Sequence, residues 1–392
     1  MMKGLIAIAV PHHTMSSAIS HLESVILPRR ATRPVKLGTL QVGGGAPVSV
    51  QTMTKTDTRD VRATVAQILD LESLGCDLIR VAVPDEAAAR ALGEIRRSIH
   101  IPLVADIHFD HRLALIALDA GADGLRINPG NIGSVPQVRE VVRAAAPRRV
   151  PIRIGVNAGS LEKELLARHG GATAEALVES ALGHARLLED AGCAEIKISV
   201  KASDVIRTVE AYRLLARRTS YPLHLGVTEA GTLIAGTIRS SAALGILLAE
   251  GIGDTLRVSL TEPPAREVRV GLDLLRCLGL RPPGCHVISC PTCGRVQIDL
   301  MNLAHRVEDA LSPLEREFPN ARWPVVAVMG CRVNGPGEAR EADIAVAGGK
   351  GKVALYLKGA HVKTLDEFEV VPALVEEVRA FIARPHGQES CL

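Results

Sequence analysis

Four of the eight cysteines in this chain lie close together, at positions 285, 290, 293 and 331, while those at 76, 193, 277 and 391 are scattered. The close set sits near Pro and Gly, first as Cys290-Pro-Thr-Cys293 and then, thirty-eight residues later, as Cys331 in GCRVNGPGE (330–338). In a reducing compartment such a grouping reads as metal binding or redox chemistry rather than a disulfide scaffold. A CxxC pair alone fits a dithiol, half a zinc site or half an iron–sulfur site. A thiol–disulfide catalyst needs the pair at a helix start after a thioredoxin-like strand, and it leaves the Cys331 loop unexplained. A four-thiolate zinc site would add Cys285, which is equally well a buried core thiol. Three thiolates plus a weaker ligand instead suit a cluster whose fourth iron exchanges that ligand for substrate. Glu338 is the carboxylate candidate, because the turn at Asn334–Gly337 can bring it back toward Cys331.

A second set of candidates is cationic. Arg80 in LIRVAV, Arg126 in LRINPGN, Arg153 in PIRIGVNAG, Lys197 in EIKISVKAS and Arg257 in LRVSL each interrupt an apolar run. A charge in such a run is expensive unless it meets an opposite charge or reaches a polar site. Two places on, three of the runs carry Asn128, Ser199 and Ser259, and Asp106 and His108 in VADIHFD have the same spacing. Period-2 alternation puts each pair on one side of its strand. Internal ion pairs with Asp85, Asp106 and Glu229 are one reading. The other, favoured by the surplus of cations over nearby carboxylates, is a ring that receives phosphate or diphosphate through bidentate guanidinium contacts. Asn157, Lys201 and His224 complete the candidate substrate-binding set. His108 either positions Asp106 or donates to a phosphate, and the two asparagines orient phosphates or support their turns. Glu229, in VTEAG, is the acid–base candidate, or else pairs with a barrel arginine.

The elements that must position these groups alternate regularly. Strands are expected at 47–51, 77–83, 102–107, 124–128, 150–156, 194–200, 222–227 and 254–260, separated by amphipathic helices such as 61–75, 174–192, 202–218 and 231–251. Helical crossovers of that length require parallel pairing. Eight βα units in about 230 residues match a closed (β/α)8 TIM-type barrel, whose active-site groups gather at the carboxy-terminal mouth. A doubly wound open sheet is the alternative, but GxGxxG does not follow an early strand. The pattern changes at Arg281–Gly284. Beyond it, VISC (287–290), a helix over 296–318, strands at 323–330, 342–349 and 352–359 and a helix over 365–383 make a smaller α/β domain. The expected organisation is a variable, disordered extension over 1–33, a substrate-binding barrel over 34–280, a cluster domain over 284–384 and a flexible tail over 385–392.

Composition narrows the function. A formal charge of +3 and 2% aromatic residues argue against a nucleic-acid module, which needs a basic patch or stacking rings. The opening GLIAIAV run is short and lacks a convincing cleavage site for a signal peptide, and the apolar runs fall short of a membrane span, so a cytoplasmic location is expected.

Longer segments now carry a resemblance. VQTMTKTDTRD (50–60), PLVADIHFD (102–110), LRINPGNIG (125–133), PIRIGVNAGSLEK (151–163), ISVKASD (198–204), PLHLGVTEAG (222–231), EGIGDTLRVSL (250–260), SCPTCGR (289–295) and VAVMGCRVNGPGEA (326–339) closely resemble, in this order, the 4-hydroxy-3-methylbut-2-enyl-diphosphate synthase family. The resemblance implies a [4Fe–4S] cluster, one per subunit, held by Cys290, Cys293, Cys331 and Glu338. It implies that 2-C-methyl-D-erythritol 2,4-cyclodiphosphate is reductively opened and dehydrated, with Arg126, Arg153, Lys197 and Arg257 in substrate-binding motifs. It also implies a homodimer in which the barrel of one subunit is capped by the cluster domain of the other. Because a flavin or nicotinamide site is not recognisable, ferredoxin or flavodoxin is the expected electron donor. A barrel enzyme doing redox-free phosphate chemistry with a structural zinc module is the competing class.

Overall fold

In the computed structural model the eight expected strands of the first unit form one parallel sheet. The structure describes residues 26–128, 131–318, 321–331, 340–349 and 351–384. It divides between Arg281 and Pro282 into two units. After a hairpin, β1 (Val35–Leu37) and β2 (Leu40–Val42), come β3 (Ser49–Met53), α1 (Val61–Ser73), β4 (Leu78–Ala82), α2 (Glu86–Arg97), β5 (Leu103–Asp106) and α3 (His111–Asp119). β6 (Gly124–Ile127), α4 (Val135–Ala145), β7 (Ile152–Asn157), α5 (Lys163–His169), α6 (Ala174–Asp190), β8 (Ile196–Lys201) and α7 (Val205–Arg218) follow. β9 (His224–Leu225), α8 (Leu233–Ala249), β10 (Thr255–Leu256) and α9 (Pro264–Cys277) end the series. Pairing runs in order from β3 to β8, and β10 lies between β9 and β3. A parallel bridge from Ile198 to Leu223 joins β8 to the β9 segment and closes the barrel. The last two strands are shorter than their apolar runs, but Arg257 N still donates to Leu225 O at 3.0 Å and Thr228 N to Ala202 O at 3.1 Å, so pairing continues past their formal ends.

The barrel is alternation at work: Ile79, Val81, Ala105, Leu125, Ile127, Ile152, Ile154, Ile196 and Ile198 pack outward under the helices in one continuous core. That leaves the inward positions to polar groups. Asp60, Asp85 and Asp204 cap α1, α2 and α7 by accepting from Ala63 N, Ala88 N and Arg207 N.

The hairpin was not anticipated. It seals the amino-terminal end of the barrel, where Leu37 and Val42 pack on Leu78 and Val104 at the starts of their strands. Gly124 is required there, because a Cβ would lie 2.8 Å from Leu37 Cδ2. Residues 26–33, assigned from sequence to the extension, are tied to the same end. Arg29 donates to Gly253 O, and Arg30 donates to Thr219 O and, at 2.6 Å, to Tyr221 O. The rest of that extension, 1–25, and the tail from 385 lie outside the described residues. None of the described helices is long and apolar enough to cross a membrane.

The second unit is a five-stranded sheet in the order β11 (His286–Ser289), β12 (Val325–Met329), β13 (Ile344–Gly349), β14 (Lys352–Leu357), β15 (Ala360–Asp366). The first three are parallel and the last two antiparallel. α10 (Leu300–Glu317) and α11 (Val370–Ile382) supply Leu303, Val307, Leu311, Leu374 and Val378 to its core. β15 escaped the sequence reading because AHVKTLD is a half-polar edge strand. Its turn, Lys358-Gly359, has φ of 47° and 80°, the positive pair that tight hairpins use.

Candidate active site

The carboxy-terminal mouth of the barrel opens into a cavity of about 530 Å³, open side included, lined by Arg80, Asp106, His108, Arg126, Arg153, Asn157, Ser199, Lys201, Thr228, Arg257 and Ser259. Strand register explains the gathering. Asp106 of β5 pairs with Arg126 of β6, Arg126 with Arg153 of β7, and Arg153 with Lys197 of β8, so one layer carries a carboxylate and three cations on adjacent strands. One layer nearer the mouth, Asn157 pairs with Lys201.

Asp106 organises the near side. It accepts from Arg126 Nη1 at 3.1 Å and lies 3.6 Å from Arg80 Nε and 3.4 Å from His108 Nε2. Burial alone would raise its pKa, but Arg80, the His108 hydrogen bond and Arg126 together hold it below the usual carboxylate range. Arg80 also points Nε and Nη2 at Met53 Sδ, at 3.2 and 3.1 Å. Its pKa is pushed down to about 10 by burial, with Arg257 and Arg126 adding to the effect and Asp106 opposing it. Arg126 crosses β7 where Gly155 stands: a Cβ there would lie 2.5 Å from Arg126 Nε. Gly226 makes similar room for Lys201, whose Nζ would be 2.4 Å from a Cβ.

On the far side Arg257 is held by Glu267, a fully buried carboxylate on α9. Glu267 accepts from Arg257 Nε at 3.1 Å, Thr52 Oγ1 at 2.6 Å and Leu260 N at 3.1 Å, and lies 3.6 Å from Lys55 Nζ. Even so, among the described residues these five cations, Arg80, Arg126, Arg153, Lys201 and Arg257, outnumber the two buried carboxylates that pair with them, Asp106 and Glu267. Burial and neighbouring cations push the pKa values of Arg153 and Lys201 well down, as expected of a site short of negative charge.

Ten of the thirteen substrate-binding candidates line this cavity; Asn128, Lys197 and His224 do not. Lys197 and His224 lie within the barrel, 2% and 0% exposed. His224 Nδ1 is 2.7 Å from Thr255 Oγ1. Of the carboxylates considered as ion-pair partners, Asp106 does pair with Arg80 and Arg126. Asp85 instead caps α2 and meets Arg59 at 3.3 Å. Glu229 is exposed on the turn after β9, next to the lining residue Thr228, with φ of 53°. The sequence reading missed Thr228, Lys55 and Glu267. A signal for Glu267 existed: it lies with Pro264, Val268, Gly271 and Leu275 on the buried stripe of its helix.

In the second unit the cysteine pattern resolves by topology. Cys290 follows β11 and donates its N–H to Val328 O at 3.3 Å, while Cys331 follows β12 after Gly330. The Cys290–Gln297 loop folds over that strand end, with Val296 N donating to Cys293 O at 3.0 Å and Gln297 N to Gly330 O at 3.4 Å. Thr292, between the paired cysteines, has φ of 66°. Cys290, Cys293 and Cys331 thus issue from one end of two adjacent parallel strands, and none is in a disulfide. Cys285 lies at the opposite end of β11, about 16 Å away along an extended strand, which removes it from any shared metal centre. Glu338 lies outside the described residues, among which His, Cys, Asp and Glu side chains do not converge in groups of three able to hold a metal ion. Three thiol donors at the carboxy-terminal end of neighbouring strands, followed by the segment that carries Glu338, nonetheless fit the donor chemistry of an iron–sulfur cluster.

Comparison with known proteins covers both units. Residues 32–272 match the GcpE TIM-barrel domain and residues 286–380 the GcpE protein C-terminal domain. The 4-hydroxy-3-methylbut-2-en-1-yl diphosphate synthase (flavodoxin) of Geobacter sulfurreducens is 58% identical over 355 residues, covering 91% of this chain and 99% of that protein. The proteins of the same description from Thermodesulfovibrio yellowstonii and Symbiobacterium thermophilum are 53% and 56% identical, covering 90% of this chain and 100% and 94% of theirs.

Proposed function

The chain belongs to the GcpE family, and from that premise we infer that it converts 2-C-methyl-D-erythritol 2,4-cyclodiphosphate to (E)-4-hydroxy-3-methylbut-2-enyl diphosphate, in the non-mevalonate route to isoprenoids. It is an iron–sulfur oxidoreductase. The single observation that supports this most on the side of geometry is the cationic mouth, whose positive charge is only partly answered by Asp106 and Glu267.

Arg80, Arg126, Arg153, Lys201 and Arg257 take the cyclic diphosphate, with Asn157, Ser199 and Ser259 as neutral partners for its remaining oxygens. Asp106 and Glu267 hold the arginines in place, so little reorganisation is needed as charge develops on the opening ring. The same cations then keep the linear diphosphate. His108, at the rim, donates to a phosphate oxygen. Glu229, on the strained turn above the mouth, carries the proton that leaves with the departing water. Cys290, Cys293, Cys331 and Glu338 would hold a [4Fe–4S] cluster, which would supply one-electron reducing power and a Lewis-acidic iron. Ferredoxin or flavodoxin supplies the reducing equivalents. In the homodimer we propose, each barrel mouth is served by the cluster unit of the other subunit.

The test is anaerobic turnover of the cyclic diphosphate with a chemical reductant, comparing the wild type with Glu338→Ala. Wild type carrying about four irons per chain should form the linear product, and the variant should lose most of that activity. An inactive wild type with its cluster intact, or a colourless protein holding stoichiometric zinc, refutes the assignment.

A further inference from the structure

Beneath the pocket lies an amine that the reaction as described does not use. Lys197 is 2% exposed and its Nζ has no hydrogen-bond partner among the described residues. Its neighbours are mostly of its own sign. Arg153 of β7 stands opposite it in register, with Nε and Nη1 likewise unpartnered. Arg80 of β4 acts on it from elsewhere in the barrel. His224, on the neighbouring β9, leaves Nε2 without a partner among the described residues, and Lys201, on β8 like Lys197, lines the cavity. The carboxylate that attracts Lys197, Asp254, is already engaged at the barrel floor by Thr32 Oγ1 at 2.9 Å and Leu223 N at 2.8 Å. Asp106 is held by Arg126 and Arg80, and Glu267 by Arg257. A buried ammonium so placed gives up its proton more readily than the arginines around it, because guanidinium groups are far stronger bases.

We propose that Lys197 is a positioning residue coupled to the pocket by charge: it is neutral while the mouth is empty and takes up a proton from solvent when a diphosphate occupies the cations above it. The ligand supplies the negative potential that the barrel lacks, and Lys197 then adds its charge from below without touching the ligand. Consistent with this, burial, followed by the repulsion of Arg153, lowers the pKa of Lys197 to about 7. This inference rests on the polyanion-binding reading of the mouth.

The experiment is titration calorimetry of the cluster-loaded protein with the cyclic diphosphate, without reductant, in two buffers of unlike ionisation heat. Near pH 8 the wild type should take up about one more proton per chain than Lys197→Met, and this difference should vanish near pH 6, where Lys197 is already charged. Wild-type affinity should accordingly fall up to about tenfold more per pH unit above neutrality than that of the variant. Lys197→Arg, charged throughout, serves if the methionine variant does not fold, and it too should bind without that share of uptake. Binding with equal proton uptake in wild type and variant overturns this proposal alone. A wild type that does not bind the cyclic diphosphate overturns both it and the substrate assignment.

Discussion

Replacing Gly155 with alanine should disable Arg126 without touching it. The new methyl would lie 2.5, 2.9 and 3.1 Å from Arg126 Nε, Nη2 and Cζ. Ordinary contact begins near 3.4 Å, so the guanidinium must retreat by about 1 Å. Its Nη1 is 3.1 Å from Asp106 Oδ1, and such a retreat breaks that hydrogen bond. Overpacking in the sealed barrel costs about 1–3 kcal/mol. A lost charge-assisted contact to the bound diphosphate costs about 1.5–3 kcal/mol more in binding, or about 10- to 150-fold in affinity. Urea unfolding at constant m-value measures the first effect, and calorimetry with the cyclic diphosphate the second. The control is a double-mutant cycle: in an Arg126→Ala background the methyl has room and should cost little. A Gly155→Ala protein as stable and as tight-binding as wild type, or one whose losses persist unchanged in the Arg126→Ala background, refutes the reasoning.

Glu267→Gln keeps the shape of the far-side anchor but removes its charge; it should destabilise the protein by about 3–5 kcal/mol in urea and raise KM more than it lowers kcat, because Arg257 loses its position. Glu229→Gly relieves a left-handed backbone, so its unfolding midpoint should rise by about 1 kcal/mol equivalent while anaerobic turnover is lost, and unchanged turnover would remove Glu229 from the chemistry. Lys197 has a lower pKa folded than unfolded, so the unfolded chain binds more protons between about pH 7 and pH 10 and wild-type stability gains across that window. Lys197→Met should therefore be about 1–4 kcal/mol more stable than wild type near pH 7, an advantage that disappears near pH 10, as urea midpoints across that range would show. Asp106 has the opposite sign: its pKa is depressed in the fold, so its contribution is present above about pH 4 and lost as acid protonates it, and Asp106→Asn should unfold with a flatter acid limb.

Much of the barrel was legible because its outward positions are strongly apolar and its crossovers regular. Arg126 and Arg153 could be picked out as conspicuous charges within Ile- and Val-rich runs, and register then placed them side by side. What stayed hidden depends on contacts distant in sequence. Leu37 and Val42 form a plug only because Leu78 and Val104 wait beneath them. The helix period puts Glu267 on a buried stripe, but not against Thr52 and Arg257, which come from other segments. Alternation along β6 selects Asn128 with Arg126, yet Arg126 lines the cavity and Asn128 does not. Cys285 could not be separated from the other thiols by spacing alone; the direction of a four-residue strand does so at once.

The plug has a kinetic consequence. With Leu37 and Val42 sealing one end, the barrel is a cul-de-sac. Fresh substrate must use the doorway by which spent product departs, and both bear the same diphosphate handle. Product lingering on those arginines therefore blocks entry, so inhibition by it should be competitive, and a tighter grip on the phosphates would eventually slow turnover by delaying exit.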